Sequence, residues 1–231
     1  MKHVIALAVG FLTGAVLFVL GLYFNPFLDK PGISPLAVTD DRIIDLSYSA
    51  VAADSILYTD HGETIVSPHP ARVVELWEPA IRDTRLLVSL LRDSRGNRAG
   101  IGVKFATASE ATSLIRGEAL VDSVWHVYLP GEGTFLVDQV ENHWAYLREI
   151  VIPARVSSGD NWVGTFHRIM TIGPGSLGTA RVTGGSGSFA GLETEAVESL
   201  TARGYSALSG PVSMTGGLTV TVPDRRIAGQ P

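Results

Sequence analysis

The sequence predicts an all-β fold: a small antiparallel β-barrel of about eight strands, tethered by one N-terminal transmembrane helix. Three observations lead there. Residues 4–24 form an uncharged apolar run. Further on, strand-length apolar segments alternate with turn-forming clusters such as Asp93-Ser94-Arg95-Gly96-Asn97-Arg98 and Pro130-Gly131-Glu132-Gly133. In the final third, Gly173, Gly175, Gly178, Gly184, Gly185, Gly187 and Gly191 punctuate short β segments. Closely spaced strands with Gly-rich turns favour a barrel or sandwich over an α/β fold, and a barrel leaves no strand edge exposed.

The apolar run is long enough, at about 1.5 Å per residue, to cross a hydrocarbon core of about 30 Å. It exceeds the apolar core of a cleaved signal peptide, about 7–15 residues. It also ends in the bulky Leu22-Tyr23-Phe24-Asn25-Pro26-Phe27 where a cleavage site needs small residues. We read residues 1–24 as an uncleaved signal anchor; a cleaved peptide and a buried soluble helix are the alternatives. Tyr23 suits the far membrane interface, and Pro26 discourages further helix. Lys2 and the terminal amine precede the run, whereas Asp29, Lys30, Asp40, Asp41 and Arg42 follow it. Positive residues stay preferentially on the cytoplasmic side, so the short N-terminal tail favours N-in, C-out. In a Gram-negative cell this makes a single-pass inner-membrane protein with its C-terminal domain in the periplasm. The absence of cysteine fits either side, because a domain of this size needs no disulfide. Gly10 and Gly14 form a GxxxG spacing that suits self-association or a larger membrane complex; glycine is also common in transmembrane helices without a specific partner. The bilayer is the partner that the run itself implies.

The chain carries 18 basic and 23 acidic residues, a formal charge of −5, with arginines spread along its length. A nucleic-acid footprint requires a concentrated basic patch, so no nucleic-acid partner is expected.

Residues 25–42, with Pro26, Pro31, Gly32 and Pro35, suggest an extended stalk. Residues 43–223 are then one domain with a substantial core, and 224–231 a tail. Within the domain, 43–59 predicts one or two strands around Tyr48 and Tyr58, and 64–66 a short strand. Val73, Leu76, Trp77 and Ala80 have helical spacing, predicting a short helix over 73–82 that Pro79 caps or kinks. Residues 85–92 and 100–106 pair as a hairpin, 109–115 is a connector or helical turn, and 121–129 and 134–140 form a second hairpin. Further strands are expected at 146–156, bent at Pro153, and at 162–172, 196–200, 204–208 and 211–222.

Residues 162–222 contain WVGTFHRIMTI, then GPGSLGTARVTGGSGSFAGLETEAVE, and later GPVSMTGGLTVTV. The core of this stretch, VTGGSGSFAGLETE at 182–195, resembles a hairpin of the allene oxide cyclase-like and dirigent-like β-barrel superfamily. The resemblance implies a lipocalin-sized barrel of eight strands. It implies no particular reaction, because that superfamily includes cyclases, stereochemical directing proteins and members without assigned chemistry. No catalytic set transfers residue by residue. On the residues themselves, Gly184, Gly185 and Gly187 are expected at positive φ in tight turns, with Phe189 pointing inward beside Ala190 and Gly191. GGSGSFAG lacks the lysine and spacing of a phosphate-binding loop.

Candidate catalytic residues are His126, Tyr128, Glu141 and His167. In VDSVWHVYL, His126 and Tyr128 share one face with Val124, and Trp125, Val127 and Leu129 share the other. The alternation leaves open which face is inside. An inward His126 face would place two proton-transfer groups in a cavity; an outward one would lie over a packed Trp-Val-Leu face. His167 alternates with Thr165 and Ile169, and Glu141 and His143 mark a strand-to-loop transition at a barrel mouth. Glu149 sits in an expected strand beside Arg148. Glu193 and Glu195 read as a soluble strand edge. No metal site is expected, since the six histidines show neither HxH nor HExxH spacing. A GxSxG elbow and a cysteine nucleophile are absent, and no cofactor is implied.

Two functions remain open. One is an accessory or binding module, alone or in a membrane protein complex. The other is an isomerase- or cyclase-like enzyme, or a carrier, acting on an apolar small molecule. Whether the chain is an enzyme is undecided by its sequence.

Overall fold

The computed structural model describes residues 2–24, 41–60, 63–65, 83–156 and 161–223. Most of the expected stalk, the expected helix over 73–82 and the tail at 224–231 lie outside them.

Helix α1 spans Lys2–Tyr23. Its stretch Lys2–Gly21 has a mean hydropathy of 2.5 and contains no buried residue. An apolar helix with no protein cover is long enough to cross a membrane.

Eight strands close into a ring. They are β1 (Arg42–Ser49), β4 (Arg85–Arg92), β5 (Arg98–Ala108), β6 (Leu120–Leu129), β7 (Gly133–Asn142), β10 (Ala180–Gly187), β11 (Glu193–Ser206) and β12 (Gly210–Val222). The order around the ring is β1-β12-β11-β10-β7-β6-β5-β4, and β4 returns to β1 where Ser47 opposes Arg92. Every pairing is antiparallel. The short strands β2 (Leu57–Asp60) and β3 (Glu63–Ile65) extend from β4. β8 (Asn161–Ile169) continues along β11 beyond the reach of β10, and β9 (Thr171–Gly173) crosses to β7. Met170, between β8 and β9, donates its N–H to Glu198 O at 2.8 Å and accepts the N–H of Asn142 at 2.8 Å. This residue therefore ties β11 to β7 where β10 has ended.

Alternation along the strands packs two apolar clusters inside the barrel. One fills the end bearing the β4–β5 and β6–β7 turns, around Trp125, Phe135, Val137, Phe189 and Leu218. Phe189 is 1% exposed and meets Phe135 edge-to-face at 5.1 Å, as the inward placement anticipated. The other cluster, at the opposite end, joins Phe166, Met170, Leu200, Ala202 and Met214 to Ile150 and Ala154. We call this second end the mouth.

Ile150 and Ala154 belong to a helix, which corrects the expected strand over 146–156. This segment, α2, runs through Trp144–Tyr146, a π-helical turn at Leu147–Val151, and Ile152–Val156. Asn142 Oδ1 accepts the N–H of Trp144 at 2.9 Å and opens the helix. The wider turn precedes Pro153, whose ring would otherwise meet the carbonyl four residues back. Ile150 and Ala154, four apart, share the face turned to the core. The apolar run IVIPA fits both a bent strand and a one-sided helix, and burial at the barrel end decides for the helix.

Three further expectations are revised. The single strand expected at 162–172 is two, broken at Met170. The two expected at 196–200 and 204–208 are one, β11, with an irregular register around Gly204. Of the three glycines expected at positive φ, only Gly187 adopts it, at +62°; Gly191 is the second such position in this turn, at +71°. Gly184 is needed for a different reason, since a Cβ there would collide with the carbonyl of Phe189.

Candidate functional site

A belt of polar side chains crosses the barrel interior between the two apolar clusters. Lys104 comes from β5, Ser123 and Trp125 from β6, Gln139 and Glu141 from β7, Thr171 from β9, Glu198 from β11 and Tyr48 from β1. Glu141 and Glu198 are each 2% exposed, and Lys104 is 9% exposed.

The belt is nearly saturated with hydrogen bonds. Lys104 Nζ donates to Glu198 Oε1 at 2.8 Å and Oε2 at 2.9 Å, and lies 2.7 Å from Glu141 Oε1. All three ammonium protons are thus engaged. Trp125 Nε1 donates to Glu198 Oε2 at 2.9 Å, and Tyr48 Oη and Gln139 Nε2 also donate to Glu198. Ser123 Oγ donates to Glu141. Thr171 Oγ1 donates to Gln139 Oε1 at 2.9 Å while accepting the backbone N–H of Glu198 at 2.7 Å. Thr171 thereby fixes which end of the Gln139 amide faces the carboxyl groups. Glycines make room for the larger members: a Cβ on Gly216 would collide with the Tyr48 ring, and one on Gly102 would lie 2.7 Å from Trp125. Tyr48 and Trp125 pack edge-to-face at 4.8 Å.

Electrostatics follow from this wiring. Burial alone disfavours the ionised Glu141, but Lys104 and His143 outweigh it and hold the carboxyl well below the usual range. Burial likewise opposes the Lys104 charge, and Glu141 with Glu198 outweighs it, so the ammonium titrates higher than normal. Burial, reinforced by Glu198 and Glu141, pushes the Tyr48 phenol well up. Tyr48 is therefore a protonated donor throughout the physiological range.

On the mouth side of the belt lies a cavity of about 170 Å³. Glu141, Glu198, Lys104 and Tyr48 form its floor. Its walls are mostly apolar, with Leu87, Val121, Met170, Leu200 and Met214 among them. Tyr58, Arg85, His143 and Tyr146 are the less buried polar groups around its opening. His143 Nε2 lies 3.0 Å from Glu141 Oε2, linking the opening to the floor. Burial raises the Tyr146 phenol as well.

Of the four residues singled out from sequence, Glu141 alone lies in this constellation. His126 and Tyr128 stand on the outer face of β6 because Trp125, Val127 and Leu129 take the inner one. Tyr128, with Ile101, Phe105, Val124 and Leu136, belongs to an exposed outer surface of β5, β6 and β7. His167 is also outside, where its Nδ1 meets Thr201 Oγ1 at 2.8 Å. An interior role for these three is thereby corrected. Glu149 lies in α2, within reach of Arg148 at 3.1 Å and Arg168 at 3.4 Å.

Sequence reasoning missed Lys104, Gln139 and Glu198 as site residues. In GIGVKFA the apolar Ile101, Val103 and Phe105 face outward, and Gly100, Gly102 and Lys104 face inward. This inverts the usual pattern. Each strand carries other charges as well, Arg98 in β5, Asp138 in β7 and Glu193, Glu195 and Arg203 in β11, so nothing in the sequence set Lys104, Glu141 and Glu198 apart as a group.

Among the described residues, no group of three or more His, Asp or Glu side chains is arranged to hold a metal ion. Comparison with protein-family models and with curated proteins finds no match to the chain.

Proposed function

We propose that this chain is a membrane-tethered binding module whose barrel takes a small, mainly apolar molecule into its mouth cavity. The observation that carries this reading is the cavity itself. It combines apolar walls with a polar floor whose ammonium is fully engaged by protein. A cavity of about 150 Å³ lined by apolar side chains binds benzene, so a space of about 170 Å³ suits a single ring or the end of a chain. Polar groups at the opening then orient the ligand, as few well-placed polar groups do in apolar pockets. Helix α1 acts as the anchor, and its N-in orientation places the barrel on the extracytoplasmic side, in the periplasm of a Gram-negative cell. The hairpin at 182–195, similar to the allene oxide cyclase-like and dirigent-like barrels, accords with a ligand-holding barrel. The open surroundings of Gly10 and Gly14 also leave α1 free to pack on a second copy or on a larger membrane complex.

The Glu141–His143 pair favours a second reading, proton transfer to a bound apolar substrate. A buried carboxylate that orients a histidine beside a cavity has the parts of a general acid–base pair.

Native mass spectrometry of the full-length protein, released gently from its membrane, tests both readings. A small apolar molecule retained by the wild type and missing from Ala106→Phe, whose ring would fill the cavity, is the expected result. Equal retention by both proteins would place any bound molecule elsewhere. Conversion of the retained molecule by wild type but not by His143→Gln would favour the enzymatic reading.

A further inference from the structure

We propose that the mouth of the barrel rests on the phospholipid surface, so that the cavity opens toward the bilayer. This rests on α1 being the membrane anchor.

The first observation joins anchor and barrel. Tyr23, the last residue of α1, donates from its hydroxyl to the carbonyl oxygen of Arg148 in α2 at 3.2 Å. The end of a helix suited to crossing the bilayer therefore touches the helix that packs into the mouth. Tyrosine at this depth sits at headgroup level, which brings α2 to the interface as well.

The second observation is what the mouth exposes. Val156 is 79% exposed and Ile152 38% on α2. Val163, near the start of β8, is 86% exposed; Leu208, in the β11–β12 turn, is 91% exposed. Val212, near the start of β12, is 59% exposed. Strand register brings these positions to one end of the barrel: Gly204 opposes Val163, Ser206 opposes Asn161, and Ser206 also opposes Gly210. The rim continues onto α2, where exposed Arg155 stands beside Val156 and is suited to lipid phosphates. The opposite end presents polar turns instead, with Ser94, Arg95 and Asn97 exposed and Arg42 paired to Glu132 at 2.8 Å.

Chain geometry permits this pose. β1 starts at Arg42, at the end away from the mouth, while α1 ends beside α2. The residues between Phe24 and Arg42 can span up to about 3.3–3.6 Å each, enough to run the height of the barrel. Tethering also holds the rim near the surface at high effective concentration, so modest interfacial burial suffices to populate the docked state.

The chain contains no cysteine, which makes single labelling sites simple to install. Full-length Leu208→Cys and Val156→Cys report on the rim, and Ser94→Cys reports on the far end. Each would carry a fluorophore in vesicles of phosphatidylcholine and phosphatidylglycerol, with or without spin-labelled lipid. The expected result is quenching by spin-labelled lipid at Leu208 and Val156 at least about twofold stronger than at Ser94, as interfacial insertion requires. Equal quenching at the two ends, or stronger quenching at Ser94, overturns the proposal. So does a rim label shielded from aqueous iodide without lipid quenching, which would mean a second copy or another protein covers it. Near-UV circular dichroism verifies that each labelled protein is folded, and agreement of Leu208 with Val156 guards against a local perturbation. Saturation transfer from the barrel to toluene, measured on the same vesicles, separates the two ideas. Lost quenching with toluene bound removes the pose alone, while quenching without toluene binding removes the cavity reading alone.

Discussion

Lys104 Nζ is held by both carboxyl oxygens of Glu198, at 2.8 and 2.9 Å, between the two apolar clusters of the barrel interior. The pair links β5 to β11, two strands that are not neighbours in the ring. Glu141 from β7 lies within 2.7 Å of the same ammonium. The barrel is thus pinned across its interior as well as around its wall.

Breaking that pin on one side should be costly. Lys104→Met leaves two buried carboxyl groups without their cation, and such losses destabilise by about 3–5 kcal/mol. The combined change Lys104→Met, Glu141→Gln, Glu198→Gln removes the charges together and should cost less than the sum of the three single changes. Urea unfolding of the wild type, the three single variants and the triple variant measures this coupling. Strict additivity would mean that the three groups do not act as a unit.

Stability should fall at both ends of the pH scale. Glu141 is shifted down on folding, so its contribution is present above the unfolded carboxyl value of about 4.3 and is lost as pH falls through the folded value. Lys104 and Tyr48 are shifted up. Their contributions are complete below the unfolded values of about 10.4 and about 10 and are lost as pH rises through the folded ones. The urea midpoint should therefore be nearly flat around neutrality and decline outside it. Glu141→Gln should flatten the acid decline, and an unchanged decline would remove Glu141 as its source.

The outer residues should be dispensable to the cavity. His126→Ala and His167→Ala replace side chains on the outer face, where substitutions usually stay within about 0.5 kcal/mol. Neither should alter ligand retention, whereas Ala106→Phe should. Binding lost in His126→Ala would require the β6 faces to be reversed.

The contrast between these histidines shows what the sequence displays. The ring fold, the two hairpins and the apolar helix were legible because turn residues and alternation act locally. The inward face of VDSVWHVYL was ambiguous because both of its faces contain large rings. Lys104 and Glu198 meet through strands far apart in sequence, so neither alternation nor spacing shows them as partners. The segment at 146–156 reads as strand from its β-branched residues. Its helical state follows from packing against Leu200, Ala202 and Met214, a tertiary effect that overrides local preference.

Deleting residues 1–24 should release a folded, soluble barrel. The stretch Lys2–Gly21 of α1 contains no buried residue, and the hydrogen bond from Tyr23 to Arg148 is exchangeable for water. Cooperative urea unfolding with a near-UV aromatic signal is the expected behaviour. A molten fragment lacking that signal would mean that α1 completes the fold.

The most direct test of the central claim is equilibrium binding of p-cresol to the full-length protein in lipid nanodiscs, for wild type and for Ala106→Phe. A ligand site inside the barrel requires saturable binding by the wild type, with transfer of proton saturation from Met170, Leu200 and Met214 to the ring, and loss of both in the filled variant. Absence of saturable binding by a folded wild-type protein, or undiminished binding by Ala106→Phe, would contradict a ligand site inside the barrel.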